Sequence, residues 1–157
     1  MPEKYDFKQV EEDILDFWKQ KSIYQKAKEK VKGKEPFYFL DGPPYTSGRV
    51  HIGTAWNKAL KDMILRYKRM QGLDAWDRAG YDMHGLPTAQ KVMAEKGLHT
   101  KDDIEKNGVG DFIADCERFA KEKMAIMNKD FIRMGVWMDF DNAYMPISKD
   151  YISGEWW

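Results

Sequence analysis

Apolar residues recur at helical spacing through much of the chain, with charged residues between them. This pattern is typical of amphipathic helices and predicts three of them, over residues 7–31, 55–70 and 111–134. Gly72 is expected to end the second. Pro87 suits the first turn of another helix over residues 88–96, and Thr100 is expected to begin one more. The pattern of the second helix places Trp56, Leu60, Met63, Ile64, Tyr67 and Met70 on one face, and Lys58, Lys61, Asp62, Arg66, Lys68 and Arg69 opposite.

Two short segments have the composition of strands. Residues 37–40 are apolar throughout, which predicts a strand buried on both sides, as in a parallel sheet. Residues 74–78 are predicted to form a second strand, so that the two strands and the helix between them make a right-handed βαβ unit. The stretch from Gly135 onward is aromatic-rich and predicted to be irregular. It ends on Glu155-Trp156-Trp157 without a polar tail, which favours a truncated chain.

Composition narrows the class of protein. A length of 157 residues fits one domain or a piece of a larger one, and the net charge of zero does not by itself indicate nucleic-acid binding. The single cysteine, Cys116, excludes a disulfide within the chain and a cysteine-clustered zinc site. The sequence contains neither a secretion signal pattern nor an apolar run of membrane-spanning length. These features predict a reducing, cytoplasmic setting.

The segment from Gly42 to Thr54 carries the clearest chemical signal. A glycine- and proline-bent loop leads to His51 just before a predicted helix, and a helix N-terminus offers free N–H groups and partial positive charge to a phosphate. We therefore predict that the His51 imidazole stabilises charge on a phosphate, with Gly48 and Gly53 allowing close approach of the backbone. The alternatives are that His51 caps the helix and that the glycines only make turns.

Other polar residues near this segment admit two interpretations each. Thr54 can donate a hydroxyl hydrogen bond to a ligand or simply cap the helix. Arg49 and Lys58 could touch phosphate, although isolated cations are usually only solvated. Asp82 follows the second strand, at the edge of a parallel sheet where ligands bind. Its carboxylate suits an ammonium group, although it could instead shape an Asx turn, and His84 could orient a neighbour or face the nucleotide.

Two sequence motifs together resemble those of class I aminoacyl-tRNA synthetases. Residues 44–54, Pro-Tyr-Thr-Ser-Gly-Arg-Val-His-Ile-Gly-Thr, are similar to the signature that normally ends His-Ile-Gly-His. Residues 80–87, Gly-Tyr-Asp-Met-His-Gly-Leu-Pro, resemble the Gly-Trp-Asp-Cys-His-Gly-Leu-Pro pattern of the isoleucyl branch, and the chain as a whole looks archaeal in type. The flanking Trp56-Asn57-Lys58 and Leu60-Lys61-Asp62 are similar to that branch as well.

The resemblance implies an α/β fold: the first half of a Rossmann-like parallel sheet of the His-Ile-Gly-His nucleotidyltransferase type. It implies an N-terminal helical extension over residues 1–35, the half-domain over 36–99, and a helical segment over 100–157 that leads toward an editing insertion. The implied function is activation of isoleucine with ATP, accompanied by Mg²⁺, and transfer of the acyl group to tRNA.

The resemblance also implies roles for individual residues. The implied catalytic residues are His51, Gly53 and Thr54. The same three, with Tyr45, Thr46 and Gly48, would bind ATP. Pro43, Asp82 and His84 would line the amino-acid site, with Asp82 receiving the substrate ammonium group. No resident metal site is implied.

The sequence departs from the family pattern in ways that matter for activity. Thr54 stands where the signature has its last histidine, and Thr88-Ala89 stands where many relatives have an apolar residue and glutamate. A loop like Lys-Met-Ser-Lys-Ser is absent from these 157 residues, so we expect the fragment alone to have little or no activity. The alternatives are a ligase for valine or leucine, and a stand-alone nucleotide- or RNA-binding module of the same superfamily.

Overall fold

The computed structural model describes residues 5–157, and it begins with two helices instead of the single one predicted over residues 7–31. Helix α1 spans Phe7–Gln20 and helix α2 spans Ile23–Val31. The Asp6 carboxylate caps α1 by accepting from the N–H groups of Lys8 and Gln9 at 3.0 and 3.3 Å. The prediction of one helix is wrong because Ser22 has a left-handed backbone, with φ of 50°, which breaks the helical ladder. Residues 1–4 of the predicted extension lie outside the described residues.

A parallel βαβ unit follows, as predicted. Strand β1, Pro36–Phe37, pairs in parallel with strand β2, Asp74–Ala75, and helix α3, Ile52–Met70, connects them. The prediction of a strand buried on both sides through residue 40 is wrong. The pairing with β2 ends where Trp76 donates to the Phe37 carbonyl at 2.9 Å, and beyond it Tyr38 and Leu40 are 73% and 78% exposed.

A second parallel pair extends this arrangement. Strand β3, Arg78–Gly80, pairs with strand β4, Asp139–Tyr144, with a register irregularity between Arg78 and Gly80. The segment predicted as one strand over residues 74–78 is therefore two short strands that pair with different partners. The region after Gly135 is not irregular, since it contains β4 and helix α7, Lys149–Trp156.

Three helices link the two strands of this second pair. Helix α4 spans Leu86–Lys96 with Pro87 in its first turn, as predicted, and helix α5 spans Lys101–Asn107. Thr100 caps α5 in a reciprocal capping box with Asp103, which confirms the predicted helix start. The Asp103 carboxylate accepts hydrogen bonds from the N–H groups of His99 and Thr100, and these hydrogen bonds lower its pKa. Helix α6, Val109–Arg133, is the long helix predicted near residues 111–134.

The hydrophobic core lies between the strands and helices α3 and α6. Leu65 of α3 and Phe131 of α6 are fully buried against Tyr81 and Met83, which follow β3. The phenol of Tyr81 donates to the Asn128 side chain on α6. This core holds the carboxyl end of β3 against α6.

An amphipathic helix usually buries its apolar face and exposes its charged face, and helix α3 does the reverse. Its charged face is turned inward, because Lys58 and Arg69 are buried beside the buried carboxylates of Asp41 and Asp77. Its apolar face is exposed, comprising Trp56, Leu60, Met63, Ile64, Tyr67 and Met70. Among residues 5–157, no helix combines the length and apolar character needed to cross a membrane.

Candidate functional site

The two signature loops lie side by side, joined through their backbones. The Asp82 N–H donates to the Pro44 carbonyl and the Thr46 N–H donates to the Asp82 carbonyl, both at 2.9 Å. Tyr45 and Asp82 thus form an isolated parallel bridge just beyond β3. The buried Thr46 hydroxyl also donates to the Asp82 carbonyl, at 3.2 Å. Residues separated by more than thirty positions in the sequence are therefore held in one edge of the fold.

Close packing fixes the start of the first loop against β3. A Cβ added to Gly80 would lie 3.5 Å from Pro43 Cβ and 3.6 Å from the Asp41 carbonyl oxygen. These are ordinary van der Waals distances, so Pro43 lies directly against the strand at Gly80. On the other side of the loop, the Tyr45 hydroxyl pairs with the buried Thr88 hydroxyl of α4. The predicted amino-acid and ATP loops therefore share one scaffold.

His51 is the N-cap residue of α3. Its Nδ1 accepts from the N–H groups of Gly53 and Thr54 at 3.1 and 3.3 Å, and its Nε2 lies 2.9 Å from Thr54 Oγ1. Capping is thus the role that the structure assigns to the imidazole. The ring is nevertheless exposed, at the mouth of the helix N-terminus.

This capping geometry also fixes the proton on the imidazole. An Nδ1 atom that accepts hydrogen bonds is unprotonated, so the proton of the neutral ring lies on Nε2. Among residues 5–157, the Nε2–H donor is shared only with the Thr54 hydroxyl, which is itself half-buried. The cap therefore leaves a hydrogen-bond donor that can turn to an oxygen anion.

Two glycines shape the approach to His51. A Cβ on Gly53 would lie 3.1 Å from His51 Cε1 and 3.3 Å from Nδ1, tighter than ordinary contact, so a side chain there would displace the capping ring by a few tenths of an ångström. Gly48 has φ of +147°, in the region that side-chain-bearing residues rarely adopt. Between them, the Val50 N–H donates to Asp130 of α6 at 3.1 Å.

Asp82 and His84 stand after β3 with their side chains in different situations. Asp82 is half-buried, and among residues 5–157 its carboxylate has no hydrogen bond or ion pair, since only its backbone groups are engaged. The structure therefore does not show the Asx turn that was the alternative for Asp82. His84 is exposed and lines a cavity of 680 Å³ whose wall includes Met83, Thr88, Phe112, Ile147 and Tyr151.

Residues that the sequence did not single out hold the loop in place. Asp41 is buried and binds the ammonium groups of Lys58 at 2.5 Å and Lys61 at 2.7 Å. Asp130 binds Arg49 at 3.3 Å. Neither Lys58 nor Arg49 is therefore a free surface cation. In the sequence, Asp41 stands out only as an acidic residue just before the loop. The partners of Asp41 and Asp130 become evident only from the fold.

Burial dominates the electrostatics of Lys58. Its side chain is 1% exposed, and desolvation lowers the pKa of its ammonium group, while the Asp41 carboxylate opposes that shift. Removing one partner of such a buried pair costs about 3–5 kcal/mol, because the other charge is left uncompensated. Within residues 5–157, no group of three or more His, Cys, Asp or Glu side chains is arranged to hold a metal ion.

Comparison with known proteins identifies relatives along nearly the whole chain. The family described as tRNA synthetases class I (I, L, M and V) matches residues 13–157. The chain is 51% identical over 156 residues to an isoleucine–tRNA ligase of Methanocaldococcus jannaschii, covering 99% of this chain and 15% of that relative. It is 53% identical over 148 residues to an isoleucine–tRNA ligase of Pyrococcus furiosus, covering 94% and 14%. The chain thus spans about 15% of the length of the curated relatives it matches.

A solved structure has the same fold. It is the Agrobacterium radiobacter K84 agnB2 LeuRS in its ternary complex with tRNA and LeuAMS, similar at a TM-score of 0.68 over 95% of this chain and 16% of that one. At 23% identity this likeness concerns the fold, and it confirms the predicted Rossmann-like α/β class. Together with the family match, it shows that the chain belongs to the class I tRNA synthetases of the isoleucine, leucine, methionine and valine group.

Proposed function

We propose that this chain forms the ATP- and amino-acid-binding part of an isoleucine–tRNA ligase. In the proposed reaction, a carboxylate oxygen of isoleucine attacks the α-phosphorus of ATP and pyrophosphate leaves, which forms the adenylate. A ribose hydroxyl at the end of tRNA then attacks the acyl carbon and releases AMP. Catalysis of this kind requires positioning and electrostatic stabilisation but no protein nucleophile.

The observation that carries the proposal is the direct backbone pairing of residues 44–46 with Asp82. This pairing holds the loop that leads to the N-terminus of α3 beside Asp82. A reaction between ATP and an amino acid would need a phosphate-binding helix N-terminus and an ammonium-binding carboxylate close to each other. The half-buried Asp82 carboxylate, which has no partner within residues 5–157, has the charge and the acceptor sites to receive an ammonium group.

The capping geometry suggests how His51 would act. Its Nε2–H would leave Thr54 Oγ1 and donate to an oxygen of the α-phosphate, where negative charge rises as the carboxylate attacks. The Thr54 hydroxyl, already within 2.9 Å of that nitrogen, would follow as a second donor in place of the missing histidine. Gly48 and Gly53 would let the phosphate chain approach the backbone.

The remaining predicted site residues have supporting roles in the proposal. Tyr45 and Thr46 would hold the ATP loop through their contacts with Thr88 and Asp82, and would contribute to ATP binding through the loop's backbone. Pro43 would bound the amino-acid site, and His84 would face the cavity beside it. Mg²⁺ would arrive with ATP, the second substrate would be tRNA, and the setting would be the cytoplasm.

Isoleucine is favoured over valine and leucine because the relatives described above are isoleucine–tRNA ligases at about half identity to this chain. A stand-alone nucleotide- or RNA-binding module is the competing class. It would bind ATP without any dependence on an amino acid.

The test is amino-acid-dependent exchange of labelled pyrophosphate into ATP, measured on the full-length protein that carries this sequence. We expect isoleucine to support exchange, valine to support it more weakly, and leucine to be inactive. Residues 1–157 alone serve as a comparison and are expected to show little or no exchange. Equal exchange with all three amino acids, or none with any, would overturn the proposal.

A further inference from the structure

A single buried carboxylate connects three parts of the candidate site. Asp41 Oδ2 accepts from Lys58 Nζ at 2.5 Å and from the Gly80 N–H at 3.1 Å, while Oδ1 accepts from Lys61 Nζ at 2.7 Å. Lys61 also donates to the Gly42 carbonyl at 2.8 Å. Helix α3, the start of the ATP loop and the end of β3 therefore meet at one side chain.

The elements joined in this way are those that carry the proposed functional groups. His51 caps helix α3, the loop that starts at Gly42 leads to Tyr45, and Asp82 stands two residues after the end of β3. A shift of α3 relative to β3 would change the separation of the imidazole from the amino-acid carboxylate. The network formed by Asp41, Lys58 and Lys61 opposes that shift.

Relying on the proposed function, we propose that Asp41 and Lys58 are positioning residues for adenylate formation. They set the distance between the ATP-binding end of α3 and the amino-acid-binding end of β3, and they act through the loop and the Gly80 N–H without touching substrate. Lys61 reinforces the same arrangement from the rim of the network, where its side chain is 16% exposed.

The composition of the network favours positioning over simple stabilisation. Burial lowers the pKa of the Lys58 ammonium, which shows that the charged Asp41–Lys58 pair forms against a desolvation penalty. Apolar side chains of similar volume in the place of a buried ion pair often stabilise a protein as well or better. Directional hydrogen bonds from one carboxylate to two ammonium groups and a backbone N–H fix orientation in a way that apolar packing does not. The Lys58 ammonium is further enclosed by the Phe131 ring, 4.9 Å from its centroid.

The chain contains a matched control for this network. Asp77 is equally buried and also binds two cations, Lys28 at 3.1 Å and Arg69 at 2.5 Å, and it accepts from the Tyr24 hydroxyl. It joins α2 and α3 to the segment between β2 and β3. None of its contacts in the described part of the chain involves the loop from Gly42 to Thr46.

The experiment compares Asp41→Asn with Asp77→Asn in the full-length protein. Both substitutions are expected to lower the melting temperature. Because displacement of reacting groups by about 1 Å costs on the order of 100-fold in rate, Asp41→Asn is expected to lower the kcat of isoleucine-dependent exchange by about 10- to 100-fold. The Asp77→Asn protein is expected to keep kcat within about threefold of the wild type, with both KM values unchanged.

Equal kcat values for the two variants would overturn the inference. If Asp41→Asn fails to fold, Lys61→Met decides, because Lys61 lies at the rim of the network. Lys68→Met provides the comparison, because Lys68 is another half-buried lysine of α3 whose ammonium lies over the Phe37 ring, 5.2 Å from its centroid. If kcat falls in Lys61→Met but not in Lys68→Met, the result supports the positioning role. Identical kcat values for these two variants contradict it. Absence of isoleucine-dependent exchange in the wild type would instead refute the proposed function, and this inference with it.

Discussion

At the scale of single residues, one geometry of His51 is compatible with both roles that were set against each other as alternatives. The ring caps α3 through Nδ1, and for that reason the neutral ring carries its proton on Nε2. That N–H group could donate a hydrogen bond to a phosphate oxygen. The structural role thus prepares the proposed chemical one. Gly53 supports this capping geometry, because a side chain at that position would crowd the imidazole.

Asp82 provides a prediction at this scale. In the full-length protein, Asp82→Ala is expected to raise the KM for isoleucine by about 10- to 100-fold, since a charge-assisted hydrogen bond is worth roughly 1.5–3 kcal/mol. The KM for ATP should change by less than about twofold, because only the ammonium group loses its partner. Steady-state exchange kinetics with each substrate varied in turn measure both values.

Asp74→Ala is the control for this experiment. Asp74 is also half-buried, but its carboxylate accepts from the Gly33 N–H at 2.8 Å, away from the two loops. Its removal should leave both KM values unchanged. A parallel rise of both KM values in the Asp82 variant would show that Asp82 supports the fold.

The sequence identified the candidate site residues better than the residues that support them. His51 and Asp82 stand in local motifs that can be recognised within a dozen positions. Asp41 binds Lys58, 17 positions away, and the Gly80 N–H, 39 positions away. Such partnerships depend on how α3 packs against β3, which a local pattern does not encode.

At the scale of elements, most helix positions could be predicted, although α7 was missed and α1 and α2 were predicted as one helix. Strand positions could be predicted only in part. Helices α4, α5 and α6 begin close to where capping and periodicity place them. The strands are two to six residues long, too short for an alternating pattern to stand out. Strand β4 was missed for a second reason: its partner, β3, lies 59 or more positions earlier in the chain.

The break between α1 and α2 leads to a prediction about stability. Ser22 holds a left-handed backbone and its side chain makes no capping hydrogen bond. Because this conformation costs an L-residue roughly 1–2 kcal/mol, and glycine adopts it freely at some entropic cost, Ser22→Gly should stabilise the chain by about 0.5–1 kcal/mol. Chemical denaturation of both proteins measures the difference in free energy of unfolding.

Ser22→Ala is the matched comparison for the glycine variant. It removes the hydroxyl but keeps the backbone strain, so the free energy of unfolding should be unchanged or lower. A stabilising alanine together with a destabilising glycine would mean that the junction prefers a continuous helix, as the periodicity over residues 7–31 suggested.

At the scale of the whole molecule, the parallel βαβ arrangement could be predicted because an apolar segment, a helix and a second strand follow in order. The direction in which α3 faces could not. Its apolar stripe would ordinarily mark the core, but Asp41 and Asp77 draw Lys58 and Arg69 inward instead. The inward face of α3 thus holds two buried ion pairs together with the fully buried Leu65.

Buried phenols govern the expected alkaline behaviour of the molecule. Burial raises the pKa of Tyr81, helped by the Asp41 carboxylate, and burial together with the Asp77 hydrogen bond raises that of Tyr24. The unfolded chain releases these protons above about pH 10 while the folded chain keeps them. The stabilisation contributed by these two phenols is therefore complete below that pH and falls as pH rises beyond it, by at most about 1.4 kcal/mol per pH unit for each group.

Lys58 changes the free energy of unfolding with pH in the opposite direction, and at lower pH than the two phenols. Burial lowers the pKa of Lys58 in the folded protein, so the unfolded state binds more protons and stability rises with pH from the folded pKa up to the ordinary lysine pKa of 10.5. Urea unfolding across the alkaline range should show the decline above about pH 10, and Tyr81→Phe should reduce its slope. An unchanged slope in Tyr81→Phe would contradict the account.

The most direct test of the whole account is the pair His51→Asn and His51→Ala in the full-length protein. Asparagine caps helices well but has no imidazole, whereas alanine removes the cap, worth about 0.5–2 kcal/mol. If the Nε2–H group stabilises the reacting phosphate, both variants should lose about 100- to 1000-fold in the kcat of isoleucine-dependent exchange. Only the alanine variant should also lose thermal stability, and the KM for ATP should change little in either. Wild-type kcat in His51→Asn would show that the imidazole only caps the helix.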